Sequence, residues 1–160
     1  MTIRAATHEP DWAQVHILLR EYAEWLEIDL CFQNFERELA HLAAMYGPPG
    51  GRMLLAESGN DGEVVVAGCV GLRRYDDATC EMKRLYVRPE HRRTGLGRRL
   101  LLASMAQACA LGYERMRLDT LDRMTEAQRL YRSVGFHPIP PYGAHPVPGT
   151  QFLEADLDPR

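Results

Sequence analysis

No apolar run in this sequence approaches the length of a membrane-spanning helix, and Met1-Thr2-Ile3-Arg4-Ala5 opens no secretory signal. Polar low-complexity tracts are missing as well, which excludes a disordered chain. Cysteine is sparse: Cys31, Cys69, Cys80 and Cys109 are scattered, with no CxxC or Cys/His spacing. Neither a zinc motif nor a disulfide framework is expected, and buried free thiols remain. The net charge of −3 excludes a broadly basic nucleic-acid binder but says nothing of local patches. What is present is 160 residues, 46% apolar and 26% charged, long enough to bury a core without staples. The expectation is one soluble, cytoplasmic domain over residues 1–160, with no metal, no nucleic acid and no membrane among its partners.

Basic charge is nonetheless clustered. Lys83, Arg84, Arg88, Arg92, Arg93, Arg98 and Arg99 fall within seventeen residues, opposed only by Glu90. In their midst Arg92-Arg93-Thr94-Gly95-Leu96-Gly97 lies between the apolar run Leu85-Tyr86-Val87 and a helix-like segment over 95–111. Two glycines let backbone approach a ligand closely, and a helix start offers unpaired N–H groups and a positive dipole end. The arginines add charge and forked donors. This combination predicts a diphosphate-sized anion, as in a nucleotide-containing cofactor.

The rest of the chain supplies the frame. A strand over 3–7 precedes a helix from Asp11, with Asp11 and Gln14 as a capping-box-like pair. Val15, Leu18, Leu19, Tyr22, Trp25 and Leu26 recur on its apolar face. Residues 28–34 break the period, and a second helix over 35–46 stops at Gly47-Pro48-Pro49-Gly50-Gly51. Strands over 53–57 and 63–72 flank hairpin chemistry at 59–62, and Asp76-Asp77 turns the chain into a strand over 79–87. Within that strand Cys80 and Met82 share one parity and Leu85 and Val87 the other. A β-bulge near Lys83-Arg84 accounts for the slip, and so does chance alternation. A strand over 116–120, a helix over 125–134 and closing strands over 136–139 and 152–157 follow. The loop 138–149, holding five of the ten prolines, reads as ordered and near the site. The order predicts an α+β or mixed α/β fold: a central, mostly antiparallel twisted sheet of six to seven strands flanked by about four helices.

The glycine loop lacks the Gly-Lys-Ser/Thr ending of a phosphate-loop NTPase, and it comes too late for a Rossmann dehydrogenase. Arg92, Gly95 and Gly97 instead match Arg/Gln-x-x-Gly-x-Gly/Ala, and the chain resembles the Gcn5-related N-acetyltransferase (GNAT) superfamily. Ala127-Gln128-Arg129-Leu130-Tyr131-Arg132-Ser133-Val134-Gly135-Phe136 is similar to that family's late Ala-x-x-Leu-Tyr-x-x-x-Gly-Phe segment. Met124 stands where many members carry asparagine, which puts one side-chain contact to the cofactor in question.

The resemblance implies the acyl-CoA N-acyltransferase fold and transfer of an acetyl group from acetyl-CoA to an amine by direct attack in a ternary complex. Tyr131 matches the tyrosine that donates to the departing sulfur; the other reading is a core tyrosine. Glu81 lies where the family often carries the glutamate that removes the amine proton; the other reading is a strand carboxylate paired with an arginine. Leu85, Tyr86 and Val87 would meet the pantetheine or thioester, and Arg92, Arg93, Thr94, Gly95, Leu96, Gly97 and Arg98 the pyrophosphate, with Ala127 and Tyr131 across from them. Tyr22, Trp25, Phe32 and Tyr142 are expected to shape the acceptor pocket. Glu21, Glu24, His137 and His145 are alternative bases. A small free amine is the first acceptor, a peptide or protein amine the second, and a catalytically silent CoA-binding sensor the non-enzymatic alternative. The resemblance leaves a homodimer open.

Overall fold

The computed structural model describes residues 1–26, 34–60, 62–143 and 147–158. Its strands are β1 (Thr2–Ala5), β2 (Arg52–Asn60), β3 (Glu63–Arg74), β4 (Thr79–Val87), β5 (Arg115–Leu121), β6 (His137–Pro138) and β7 (Thr150–Asp156). They form one seven-stranded sheet in the order β1-β2-β3-β4-β5-β7-β6. The β4–β5 pairing is parallel and the other five are antiparallel, as the hairpin turns require. Helices α1 (Glu9–Leu26), α2 (Phe35–Ala40) and α3 (Leu42–Tyr46) cover one face; α4 (Leu96–Ala110) and α5 (Thr125–Ser133) cover the other. Val15, Leu18, Leu19, Leu39, Tyr46 and Leu55 fill the first interface, and Leu54, Val70, Leu72, Leu100, Leu118 and Leu153 the second.

The fold class is the expected one, with two local corrections. The helix expected over 35–46 is two helices, because the chain breaks at His41, where φ is −132°. The break lets Phe35 and Leu39 on one segment and Leu42 and Tyr46 on the next all reach the core. Helix α1 starts at Glu9, so Asp11 lies inside the first turn rather than capping it with Gln14. The Asp11 carboxylate reaches back to accept the backbone N–H groups of Thr7 (2.9 Å) and His8 (3.2 Å) while Arg4 donates to both its oxygens. Orphan donors at the helix start are satisfied by an acid one turn in.

The bulge is present. Cys69 pairs with Tyr86 but Gly71 with Lys83, so β4 spends one extra residue there, and Arg84 takes φ of 62°. Cys80 and Met82 before the bulge and Leu85 and Val87 after it consequently pack on the same core. The bulge turns Lys83 and Arg84 together toward the α1–α3 side. Hydrogen-bonded pairing between β4 and β5 is confined to Thr79–Glu81 against Arg115–Arg117. Beyond those pairs the two strands part, and two cavities lie along the split.

Candidate active site

A cleft of about 770 Å³ runs from the β4 segment Leu85–Val87, past the loop at Arg92–Gly97, to the inner face of α5. Every residue expected to meet the cofactor lines it except Thr94 and Arg98. The Thr94 hydroxyl donates to the His91 carbonyl (2.7 Å), tightening the loop, and the Arg98 guanidinium donates to Ser133 Oγ (3.0 Å) on α5. Gly95 caps α4 with φ of 82°, a left-handed conformation that costs a Cβ-bearing residue strain. The first intrahelical bond is donated by Arg99 to the Gly95 carbonyl, so the N–H groups of the preceding turn face the cleft with the positive end of the helix dipole. A Cβ added at Gly97 would stand 3.8 Å from Leu130 Cδ2 and 4.0 Å from Val87 Cγ2, between the two walls of the cleft.

Arg92 serves the loop more than an anion. Its Nε donates to the Val87 carbonyl (2.8 Å), and its guanidinium lies 4.6 Å over the Trp25 ring and 5.8 Å from that of Tyr86. Cation–π contact thereby ties the end of α1 to the glycine loop. Trp25, expected beside the acceptor, lines this cleft and not the inner cavity.

A second, smaller cavity of about 60 Å³ lies in the β4–β5 split. Tyr22, Lys83, Arg84, Asp119 and Thr120 contribute its polar lining. It shares Leu26, Leu85, Met124 and Tyr131 with the larger cleft, so the two meet at those side chains. Tyr131 is 5% exposed, and no described residue hydrogen-bonds to its hydroxyl. Burial pushes that phenol above its ordinary range, reinforced by Tyr22 and Asp119, so it stays protonated. Met124 occupies the N-cap of α5, where its thioether offers the helix no capping bond.

Charge in this region is paired. Arg84 Nε and Nη2 donate to the two Glu38 oxygens at 3.0 and 2.9 Å, and the Tyr46 hydroxyl donates to Glu38 Oε2 at 2.9 Å. Burial alone would raise the Glu38 carboxyl, but Arg84 and Tyr46 together hold it below the usual carboxylate range. Lys83 Nζ stands 3.6 Å from Asp119 Oδ2. Sequence reasoning had not singled out Asp119 or given Lys83 a role beyond the basic cluster. Their signal is register: Glu81 pairs with Arg117, so Lys83 and Asp119, two residues on, face each other across the split.

Glu81 is elsewhere. Arg73 donates to its Oε1 from Nε (3.0 Å) and Nη2 (2.8 Å), and the Tyr142 hydroxyl donates to its Oε2 (3.0 Å). It belongs to a cross-strand row, Arg73, Glu81, Arg117 and Glu154, in which charges alternate over β3, β4, β5 and β7. Because β4 and β5 are still joined at this level, Glu81 lines neither cavity. Tyr142 lines neither as well; its ring packs on Tyr75 and Phe152 and lies under the Arg117 guanidinium. Among the alternative bases, Glu21 is held by Arg88 (2.6 Å), while Glu24 and His137 are exposed. Phe32 and His145 lie outside the described residues. Cys69 and Cys80 are buried free thiols, as expected, and Cys109 is half-buried. Among the described residues no group of three or more His, Cys, Asp or Glu could hold a metal, and no helix is long and apolar enough to cross a membrane.

A family model described as an acetyltransferase (GNAT) domain matches residues 49–138, more than half of the chain. The chain belongs to the GNAT acetyltransferase family. It is 39% identical over 158 residues to an uncharacterised N-acetyltransferase of Schizosaccharomyces pombe, covering 98% of this chain and 95% of that protein. An acetyltransferase from Streptococcus agalactiae 2603, 22% identical, shares the fold with a TM-score of 0.77 over 98% of each chain. A Salmonella typhimurium protein, yncA, solved with its cofactor acetyl-CoA, is 25% identical with a TM-score of 0.65, covering 99% of this chain and 94% of that one. The matched GNAT span holds β2 to β6 with α4 and α5, and therefore most of the large cleft. Helices α1 to α3 fall outside it, so Tyr22 and Leu26 reach the inner cavity from the part of the chain that the family model does not match.

Proposed function

We propose that this GNAT chain is an acetyl-CoA-dependent N-acetyltransferase acting on a small free amine, with the acetyl group passing directly from thioester to amine in a ternary complex. The observation that carries the reading is the junction at Tyr131: a long cleft with a helix N-terminus at one end meets a small cavity lined by charged side chains across one buried tyrosine. Acetyl-CoA supplies the activated acetyl group and a thiolate leaving group. The cleft suits it because the α4 N-terminus and the Cβ-free positions Gly95 and Gly97 accept a diphosphate, while β4, parted from β5, turns the backbone edge along Leu85–Val87, whose Val87 carbonyl Arg92 holds, toward an extended pantetheine.

The protein's part is mostly positioning. Tyr131, held protonated by burial, donates a hydrogen bond toward the sulfur as negative charge develops there. The small inner cavity suits a small acceptor rather than a folded surface. Direct attack is favoured over an acyl-enzyme because no described cysteine lines either cavity, and burial pushes the Cys69 and Cys80 thiols up to about 12.

Calorimetric titration with acetyl-CoA, followed by a thiol-release assay over small amines and peptides, tests the reading. Saturable binding with turnover on small amines is expected. No binding, turnover on peptides alone, or binding without turnover on any amine would overturn it.

A further inference from the structure

We infer that the acceptor is a zwitterion: a small free α-amino acid whose ammonium group is received by Asp119 and whose carboxylate is received by Lys83. The inference rests on the acetyltransferase reading above and concerns the inner cavity alone. Among the described residues three charged side chains line that cavity, Lys83, Arg84 and Asp119. The Arg84 charge is already matched by Glu38, whose two oxygens accept from Arg84 Nε and Nη2 and which is itself steadied by Tyr46. The opposed pair that the described lining presents to an entering molecule is Lys83 and Asp119.

That pair is side by side but loosely joined. The 3.6 Å between Lys83 Nζ and Asp119 Oδ2 is an ionic contact longer than a hydrogen bond, and the two side chains are 9% and 16% exposed. Buried charges are tolerated when matched, and leaving one unmatched is costly. A simple amine entering as a cation would satisfy Asp119 and be repelled by Lys83. A simple carboxylate would do the reverse. An amine with a carboxylate on the adjacent carbon sets a second ion pair antiparallel to the first, so each of the four charges gains an opposite neighbour and the cavity gains no net charge. A peptide amine lacks that carboxylate, and a polyamine brings more positive charge toward Lys83. The volume of about 60 Å³ limits the side chain to a small one.

The arrangement also places the proton traffic. The ammonium of the acceptor gives one proton to the Asp119 carboxylate and from there to solvent. The nitrogen then bonds the acetyl carbon and the carbon–sulfur bond breaks. The remaining surplus proton on nitrogen passes to the sulfur, with Tyr131 donating on that side, so the products are an N-acetyl amino acid and CoA thiol.

The test compares L-alanine with alaninamide and ethylamine, which keep the amine and lose the carboxylate, in wild type, Lys83→Met and Asp119→Asn. Acetyl-CoA affinity is measured first, and titration of L-alanine into CoA-loaded protein gives a readout independent of turnover. L-alanine should exceed both analogues in kcat/KM by about 10- to 100-fold, the worth of one charge-assisted hydrogen bond. Lys83→Met should raise the alanine KM and Kd by a similar factor, abolish the preference and leave acetyl-CoA affinity unchanged. Asp119→Asn should lower kcat on every amine. Equal use of ethylamine, or a preference that survives Lys83→Met, would overturn this inference while leaving the acetyltransferase reading intact. Failure to bind acetyl-CoA would overturn both.

Discussion

Replacing Tyr131 by phenylalanine removes one oxygen from a buried ring that touches both cavities, and its packing on Phe136 at 5.9 Å would be kept. Turnover should fall on the order of 100-fold while acetyl-CoA affinity stays within about twofold, separable by steady-state kinetics and calorimetry. Glu81→Gln is the contrasting experiment. Glu81 is fastened by Arg73 and Tyr142 away from the cavities, so kcat should stay within about threefold, where loss of a general base would cost about 100-fold or more. The same variant should lose about 2 kcal/mol in urea denaturation, because a charge-assisted pair is weakened. The two residues are both polar and about equally buried. Their different fates come from the level of the sheet at which each sits.

At the scale of elements, the start of α4 and the bulge in β4 act together. The bulge at Arg84 parts β4 from β5 and turns Lys83 into the inner cavity, and the loop that follows brings the α4 N-terminus to the outer end of the same cleft. Gly97→Leu should therefore raise the acetyl-CoA Kd by about tenfold or more, since the added side chain grows between Val87 and Leu130, with a melting temperature near that of wild type. Gly95→Val should behave differently. Its φ of 82° is strained for any β-branched residue, so a loss of about 1–2 kcal/mol in stability should accompany weaker binding. Comparing the pair by thermal denaturation and calorimetry separates a glycine needed for space from one needed for conformation.

Across the whole molecule, the α1–α3 layer is tied to the sheet by two carboxylates with depressed proton affinity. Arg4 and the Thr7 and His8 N–H groups hold Asp11 well below the usual carboxylate range, against the opposing effect of burial. Glu38 is held low by Arg84 despite its burial. A depressed carboxylate contributes stability that is present above its unfolded value, near 4, and lost as pH falls through the folded one. The urea midpoint should thus be level from about pH 8 to pH 6 and fall steeply below about pH 4. Glu38→Gln should cost about 3–5 kcal/mol at pH 7 by leaving Arg84 buried without its partner, and should flatten the acid limb.

The sequence by itself determined the elements and the glycine loop. Apolar period, turn chemistry and the placement of Gly95 and Gly97 are local properties, written in residues that are neighbours in the chain, whereas the parity slip at Lys83-Arg84 left a bulge beside chance alternation until the pairing register decided it. Which acid lines the inner cavity was not local. Glu81 and Asp119 are both charged residues on strands beside the site, and only the pairing register, with its parting after Glu81–Arg117, places one in an ion-pair row and the other in the cavity. Trp25 likewise shares a helix face with Tyr22, yet one turns to the glycine loop and the other to the inner cavity. Tertiary structure decided these matters because they depend on distances between segments far apart in sequence, and no periodicity along one segment encodes them.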